Sequence, residues 1–215
     1  MALSYYTLQV FLLLALSAPL ALVMAGDPDI LTDYVIPANG NPMNITGDFF
    51  TFTGFRKVFN TSSPPEANNF TVTKATMAEF PALNGQSVSY ATLVFPPSSV
   101  NPPHTHPRSA ELLLVVDGAL SVGFVDTTNK LYTQDLAAGD MFVFPKGTVH
   151  FQFNKGTPQP AMALSAFGSA AAGLVSIPVN VFGTDIDDAV LAKSFKTDVP
   201  TIQKLKASLT PPNKA

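Results

Sequence analysis

The 215-residue sequence contains no cysteine, so neither a disulfide bond nor thiol chemistry contributes to its stability or function. A chain of this length can be stabilised by the burial of apolar side chains alone. Hydrophobic residues make up 47% of the sequence, which is ample for one domain of ordinary size or a small pair. Redox chemistry at sulfur is therefore restricted to methionine.

Charged side chains are also scarce, at 13% of residues, and the formal net charge is −3. A nucleic-acid-binding domain needs a basic face, and a peripheral membrane protein needs a polybasic patch. This weakly acidic sequence has neither, so we expect no nucleic-acid partner and no membrane partner. After the first 25 residues, no segment approaches the ~20 apolar residues that span a bilayer.

One long apolar segment, TLQVFLLLALSAPLALVMA, lies near the beginning of the sequence. It contains Pro19 and ends in Val23-Met24-Ala25, which resembles a signal-peptidase site, before the polar residues GDPD. The alternative is a membrane anchor. The proline, the small residues and the lack of a basic flank favour a cleaved signal peptide over residues 1–25, and therefore a secreted protein.

Three N-glycosylation sequons follow this segment, and none has proline in its middle position. A single sequon is weak evidence, because such short motifs recur by chance. Three of them in the first third of a secreted chain predict N-glycans on surface loops. The acceptor residues are Asn44, Asn60 and Asn69.

The segment from about Ser87 to Ile177 alternates between short β-branched or aromatic runs and turn signals. Many short strands at close spacing favour an antiparallel sandwich or barrel. The run LLLVV is apolar on both faces, which predicts a sheet that is covered on both sides. We predict strands in VSYATLVFP, ELLLVVDG, ALSVGFVD, LYTQDLA, MFVFPKG, VHFQFNKG, AMALSAFG and GLVSIP.

The two ends of the sequence differ from this strand-rich centre. The segment before Pro81 is loop-like, with four phenylalanines between positions 49 and 55 as candidate anchors. Near the other end, DIDDAVLAKSFKTD and VPTIQKLKASLT predict two short helices, separated at Pro200, each with an apolar face. We therefore divide the sequence into a signal peptide (1–25), an arm (26–82), a β-barrel (83–180) and a helical extension (181–215).

All three histidines lie in two short segments, NPPHTHPRSAE and FPKGTVHFQFN. His104 and His106 are two residues apart, so on a strand both imidazoles point to the same face. Glu111 follows a bend, and His150 follows the PKG turn, so both can reach the same point. Singly these residues are weak evidence, but together they predict a transition-metal site with positions left for water or substrate. This ligand chemistry alone admits manganese, iron or nickel.

These two segments resemble the paired germin boxes of the cupin superfamily. NPPHTHPRSAELLLVVDG has the H-x-H pair, the glutamate and the later glycine of the first box. GDMFVFPKGTVHFQFN matches the second box, G-x5-P-x-G-x2-H-x3-N. The segments DPDILTDYV, NGNPMN and DFFTFTGF resemble the N-terminal arm of plant germin-like proteins, and DDAVLAKSFKTD resembles their C-terminal helix. The resemblance covers nearly all of the sequence after residue 25.

The resemblance implies an all-β fold, a cupin β-jelly-roll barrel with an N-terminal arm and short C-terminal helices. It also implies a secreted glycoprotein of the apoplast and cell wall, with a role in plant defence. Germins assemble as homo-oligomers, usually a hexamer built as a trimer of dimers. The family's metal is manganese, and its ligands here would be His104, His106, Glu111 and His150.

The sequence departs from the germin pattern at several positions. Val35 and Met43 stand where we place the two arm cysteines, so we expect their apolar contact to replace a disulfide worth ~2–4 kcal/mol. FPPSSVN stands where the glycine-containing APGGxN is common. Ala91 stands where oxalate-oxidising germins have an asparagine, whereas Asn101 matches their other active-site asparagine and is our candidate catalytic residue. Losing one amide donor weakens the binding of a small dicarboxylate.

Three functions remain open on this basis. Manganese superoxide dismutase, producing hydrogen peroxide, is favoured because it needs little beyond the metal and an open path to it. Oxalate oxidase is less favoured because of Ala91. The third possibility is a metal-bearing cell-wall or receptor-type glycoprotein without catalysis, since one fold carries many functions. The small-molecule substrate is not determined by these residues.

Overall fold

The computed structural model describes residues 26–59, 69–155 and 158–209. The predicted signal peptide and Asn60 lie outside these residues, whereas Asn44 and Asn69 lie inside them and are exposed. Within the described ranges, no helix is long and apolar enough to cross a membrane. Two five-stranded sheets form the centre of the structure.

Every neighbouring pair of strands in both sheets is antiparallel. The ten strands are β1 (Thr71–Ala75), β2 (Ser89–Phe95), β3 (Val100–Thr105), β4 (Glu111–Asp117), β5 (Ala119–Val125), β6 (Leu131–Ala137), β7 (Met141–Phe144), β8 (Val149–Phe153), β9 (Ala161–Phe167) and β10 (Val175–Ser176). The first sheet has the order β1-β2-β9-β4-β7, and the second has the order β10-β3-β8-β5-β6.

The core lies between the two sheets because alternate residues of each strand point inward. In β4, for example, Leu113 and Val115 are completely buried, and their neighbours in sequence are not. Both sheets contribute to this single apolar cluster. Its largest members are Leu93, Phe95, Leu113, Leu120, Leu136, Phe144 and Phe167.

The run LLLVV in β4 predicted a sheet that is covered on both faces, but the outer face of β4 is exposed. Leu112 is 40% exposed and Val116 is 38% exposed, so the expectation of a sheet covered on both sides is wrong for the described part of one chain. Met141 and Val143 of the neighbouring β7 are exposed by 56% and 55%. An apolar surface therefore continues across the edge of the first sheet.

Two strands, β1 and β3, are missing from the predicted strands, although the predicted convergence of His104 and His106 assumed an extended segment at β3. β1 lies in the segment predicted as loop. β3 contains Pro102 and Pro103, which have no N–H groups to donate to a neighbouring strand. The pairing of β3 with β8 shifts register between Asn101 and His104, so an irregularity accommodates the two prolines just before the first histidine.

In the part of the chain that the structure describes, four α-helices accompany the sheets: α1 (Arg56–Phe59), α2 (Ile177–Phe182), α3 (Asp188–Phe195) and α4 (Val199–Leu209). The predicted strand GLVSIP is mostly wrong, since only Val175–Ser176 is extended and α2 follows directly. Pro200 was predicted to separate two helices, but it lies in the first turn of α4. The N–H groups of a first turn have no partner within the helix, so the missing N–H of proline costs nothing there. Short 3-10 helices occur at Pro42–Asn44, Gly47–Phe50 and Pro81–Leu83.

The two predicted C-terminal helices pack against each other. Leu191 of α3 and Ile202 of α4 are buried in a small separate cluster, against which Val181 and Phe182 of α2 also pack. The side chain of Asp187 accepts hydrogen bonds from the N–H groups of Ala189 and Val190 and so caps α3. Ala192 of α3 is buried in the same cluster, whereas Val190 and Phe195 are each 54% exposed.

The predicted contact between Val35 and Met43, which was expected to replace the family's disulfide, does not hold the arm. Met43 is 89% exposed and Val35 is only half-buried, so that expectation is wrong. Aromatic rings stabilise the arm instead. Phe52 packs against Phe55 and Phe80, with ring centroids 5.0 and 5.6 Å apart.

Candidate metal centre

The four predicted ligands come together from both sheets. His104 belongs to β3 and His106 follows that strand, while His150 lies directly opposite His104 on the neighbouring β8. Glu111 comes from the first residue of β4 in the other sheet. One candidate ligand atom from each side chain lies within 4.8 Å of the other three. The structure thus unites all four residues in one cluster.

The distances suit a single metal ion. Glu111 Oε2 lies 3.0 Å from His150 Nε2, 3.2 Å from His106 Nε2 and 4.0 Å from His104 Nε2. Metal bonds of about 2.0–2.2 Å to imidazole and carboxylate place two ligand atoms of one ion roughly 3–4.4 Å apart. The four side chains therefore need little movement to share an ion.

The backbone orients each imidazole. In all three rings Nδ1 lies within hydrogen-bond distance of a backbone carbonyl oxygen, which can only accept, so Nδ1 carries the hydrogen. Nε2 of each ring is then the atom left for a metal, and without one the Nε2 atoms of His106 and His150 lie within hydrogen-bond distance of Glu111 Oε2. A cation between these atoms would satisfy them together. The carbonyl partners are Pro102 for His104 (2.8 Å), Gly173 for His106 (2.5 Å) and Thr148 for His150 (2.9 Å).

The second oxygen of Glu111 is held by two residues that sequence reasoning missed. Oε1 accepts hydrogen bonds from Ser165 Oγ at 2.6 Å and from Gln152 Nε2 at 3.3 Å. Asn101 Nδ2 donates to Gln152 Oε1 at 2.7 Å, which links the candidate catalytic residue to the ligand cluster. For both residues the available signal was a polar side chain at an inward position of a strand.

Aromatic rings pack against the ligands on their apolar sides. The ring of Phe144 stacks on that of His150, with centroids 4.4 Å apart and an interplanar angle of 21°. Phe167 contacts His106 at 4.7 Å. These contacts leave the imidazoles little freedom to turn away from the cluster.

The protonation states of two ligands suit metal binding. Burial, together with repulsion from the neighbouring His150, lowers the pKa of His104 to about 4. Burial opposes ionisation of Glu111, but its contacts with His106 and His150 outweigh this effect and hold the pKa of Glu111 well below its usual range. At neutral pH His104 is therefore neutral and Glu111 is charged, and these are the forms that bind a metal.

A cavity of about 300 Å³ leads to the cluster. His104, His106, Glu111 and Asn101 line it, so one side of the ligand set faces open space. Ala91 lines the same cavity and is only 5% exposed, which places the missing amide on the cavity wall.

The loop after β9 lines the same cavity and supports His106. Arg108 Nε donates to the carbonyl oxygen of Ala171, and the Arg108 N–H donates to that of Ala172. Gly173, whose carbonyl oxygen accepts from His106, has a φ of +75°, and a Cβ there would lie 2.8 Å from Arg108 Nη2. A glycine is therefore needed for this close packing.

The asparagine at the end of the second box has a structural role. Asn154 is completely buried, and its Nδ2 donates to the carbonyl oxygens of Phe95 and Gln159, each at 3.0 Å. Asn154 thus joins the end of β8 to the end of β2 and to the loop before β9. It does not line the cavity described above.

Two antiparallel sheets that enclose three histidines and one glutamate define a cupin-type β-barrel with a candidate metal site. The sequence accordingly matches the cupin family over residues 58–203. Within that class, the chain belongs to the germin-like proteins, as its relatives establish. The predictions of the family and of the jelly-roll fold are both confirmed.

The similarity extends over whole chains. Germin-like protein 9-2 of Oryza sativa subsp. japonica is 86% identical over 215 residues, which is 100% of both chains. Germin-like protein 9-3 of the same organism is 81% identical over 210 residues, covering 97% of this chain and 98% of the relative. A recombinant oxalate oxidase in complex with glycolate superposes with a TM-score of 0.76 at 35% identity, covering 86% of this chain and 98% of that chain.

Proposed function

We propose that this chain is a secreted manganese-binding protein whose best-supported activity is superoxide dismutation. The observation that carries the proposal is the convergence of three imidazole Nε2 atoms and Glu111 Oε2 beside an open cavity. Dismutation requires a redox metal and access for a small anion, and this geometry supplies a place for both.

The donor set agrees with manganese without selecting it. Three imidazoles and one carboxylate leave positions free in an octahedral ion and also suit iron or nickel. Membership of the germin-like family is our reason for choosing manganese. When bound, manganese would supply the one-electron exchange by which two superoxide anions and two protons become one dioxygen and one hydrogen peroxide.

The residues of the chain have separate tasks in this proposal. His104, His106 and His150 hold the metal with fixed ring orientation because their Nδ1 hydrogens are engaged. Asn101 is proposed to orient the anion, which is supported by its position on the cavity wall and by its hydrogen bond to Gln152.

Oxalate oxidation is the second candidate, because the chain resembles an oxalate oxidase over most of its length. The cavity argues against it at one position. Ala91 offers no amide on the wall where a small dicarboxylate would need a donor, and an unpaired buried carboxylate oxygen is costly. We therefore rank oxalate oxidation below dismutation.

We also propose that the protein is an apoplastic glycoprotein and that it assembles as a homo-oligomer, with a hexamer as the expected form. Exposure of Asn44 and Asn69 supports glycosylation at these two sequons. The apolar outer surface formed by β4 and β7 supports self-association. The signal peptide over 1–25 and the division at 82 and 180 remain our proposal for the organisation of the chain.

The test is metal analysis of secreted protein expressed with manganese, with superoxide and oxalate assays run in parallel. Wild-type protein should hold one manganese per chain. His150→Ala should lose most of it, because divalent manganese lies at the weak end of the affinity order and three remaining ligands hold it poorly. Asn101→Ala should keep the metal and lose turnover.

The outcomes separate the alternatives. A wild-type protein without metal, or a His150→Ala variant with a full equivalent, would show that the proposed site is wrong. Manganese without turnover of either substrate would favour a protein that is not an enzyme. Turnover of oxalate but not of superoxide would reverse our ranking.

A further inference from the structure

Apart from the candidate ligand Glu111, the charged side chains that line the cavity are positive. Lys74 and Arg108 line the cavity, and no other acidic side chain does so among the described residues. Most of the remaining wall is apolar and includes Phe70, Val72, Ala91, Leu93, Phe167 and Leu174. A positive charge beside low-dielectric walls acts over a longer distance than the same charge in water.

The position of Lys74 follows from strand register. Lys74 of β1 lies directly opposite Ala91 of β2. Side chains of such cross-strand partners point to the same face, with Cβ atoms about 4.5–5.5 Å apart. Because Ala91 faces the cavity, Lys74 faces it from the adjacent edge strand. The cation therefore lies next to the wall position that lacks an amide.

Neither cation is neutralised by an ion pair within the described ranges. Glu79 is close enough to interact electrostatically with Lys74, but its carboxylate oxygen Oε2 accepts hydrogen bonds from the N–H and the hydroxyl of Thr76. Arg108 is anchored by its bond to the carbonyl oxygen of Ala171, a neutral acceptor. The positive charge of both residues is thus available to an anion.

We propose that Lys74 is a specificity-determining residue that selects small anions for this cavity and takes over from the amide missing at position 91. The inference deepens the proposed function and rests on it for the bound metal. An amide offers a directed donor, whereas an ammonium group on a flexible stem offers charge with little directional preference. The cavity therefore discriminates by charge, and superoxide and small carboxylates share the feature that it recognises.

The size of the cavity agrees with such ligands. Its volume of about 300 Å³ compares with roughly 30 Å³ for one water molecule in the liquid. An anion of a few heavy atoms fits there with several waters. Acetate and its neutral isostere acetamide are suitable probes, because they differ in charge and hardly in shape.

The experiment uses the manganese-loaded full chain and measures binding of acetate and acetamide by calorimetry and by the electron paramagnetic resonance of the bound manganese. Wild-type protein should bind acetate more tightly than acetamide. Lys74→Gln should weaken acetate binding by about fivefold and Lys74→Glu by at least about tenfold. Neither change should alter acetamide binding or manganese content.

Lys204→Gln is the matched control, because it removes the same charge from an exposed position on α4. It should leave acetate binding unchanged. Equal acetate affinity in wild-type and Lys74→Gln protein would overturn the inference, as would a protein that takes up no divalent metal. Lys74-dependent acetate binding without superoxide turnover would support the inference while the dismutase proposal fails. Superoxide turnover that is insensitive to Lys74→Glu would support the dismutase proposal and overturn the inference about Lys74.

Discussion

Glu111 depends on a different set of partners at each of its two oxygens. Oε2 faces the imidazoles, whereas Oε1 is held by Ser165 and Gln152. The carboxylate is 2% exposed, so no solvent is available to replace a lost partner. Groups that hold a metal ligand in this way fix its orientation and also affect the affinity of the site for the metal.

Ser165→Ala should therefore weaken manganese binding although all four ligands remain. We expect a loss of affinity of about 10–100-fold, because Oε1 keeps only the longer contact with Gln152. Competition with a chelator, followed by metal analysis, measures the change. Ser194→Ala, at an exposed position of α3, is the control and should leave affinity unchanged. Equal affinity in wild-type and Ser165→Ala protein would show that this hydrogen bond does not position Glu111.

His104 predicts how the metal-free protein responds to acid. Its pKa falls from 6.5 in the unfolded chain to about 4 in the folded one. The unfolded state therefore binds a proton first, and native stability decreases as pH falls from about 6.5 to about 4. The loss should reach about 2 kcal/mol by pH ~5. The lowered pKa of Glu111 acts in the same direction, because the unfolded chain again binds the proton first, and this contribution is lost as pH falls below about 4.5, near the lower end of this window.

Urea unfolding of metal-free protein at pH ~7 and pH ~5 measures this effect. His104→Gln should show a smaller difference between the two conditions, because the titrating group is gone. An unfolding free energy that does not change between them in the wild type would contradict the assigned burial of a neutral His104.

At the scale of elements, the beginning of the arm and the loop at 169–174 form one unit. Asp27 accepts hydrogen bonds from Ser169 Oγ and the Ala170 N–H, each at 2.6 Å, and its own N–H donates to Ser87 Oγ. The same loop provides the carbonyl oxygen of Gly173 for His106. The arm is thus connected to the metal site through a short segment of backbone.

Asp27→Asn should lower both the unfolding midpoint and the affinity for manganese. The amide keeps the shape but loses the charge-assisted acceptor, which is worth about 1.5–3 kcal/mol for a hydrogen bond to a charged group. Thermal unfolding and chelator competition measure the two effects. Asp29→Asn, at an exposed position, is the control. If only the midpoint falls, the loop does not need Asp27 to hold Gly173 against His106.

At the scale of the whole molecule, an exposed apolar surface extends over the outside of β4 and β7. Leu112 lies opposite Val143 in register, and Leu114 lies opposite Met141, so their side chains form one continuous patch. Such a surface is unusual for a protein that stays a monomer. We expect a second copy of the chain to cover it in the proposed oligomer.

Val143→Glu should therefore reduce the assembly to a smaller species, because an unpaired carboxylate in an apolar interface is costly. Analytical ultracentrifugation of the secreted protein gives the mass directly. Leu131→Glu introduces the same charge at a residue of equal exposure, 55%, in the other sheet, and should leave the mass unchanged. A Val143→Glu protein with the wild-type mass would place the interface elsewhere.

The sequence by itself determined the ligand set, the strand-rich centre and the two C-terminal helices. Each rests on local patterns: the spacing of His104 and His106, the period of two in strands such as ELLLVVD, and the acidic start of α3. Such patterns act over a few residues and do not depend on how distant segments meet. The family resemblance, and not these patterns, singled out Asn101 and Ala91, and both residues line the cavity that leads to the candidate ligands.

Only the tertiary structure decided what lies around those residues. Ser165 meets Glu111 across 54 residues and Asp27 meets Ala170 across 143, and the position of Lys74 opposite Ala91 depends on register between two strands. The exposure of Met43 could not be inferred from its apolar character either. Strand order and register result from packing summed over the whole core, so no local pattern contains them.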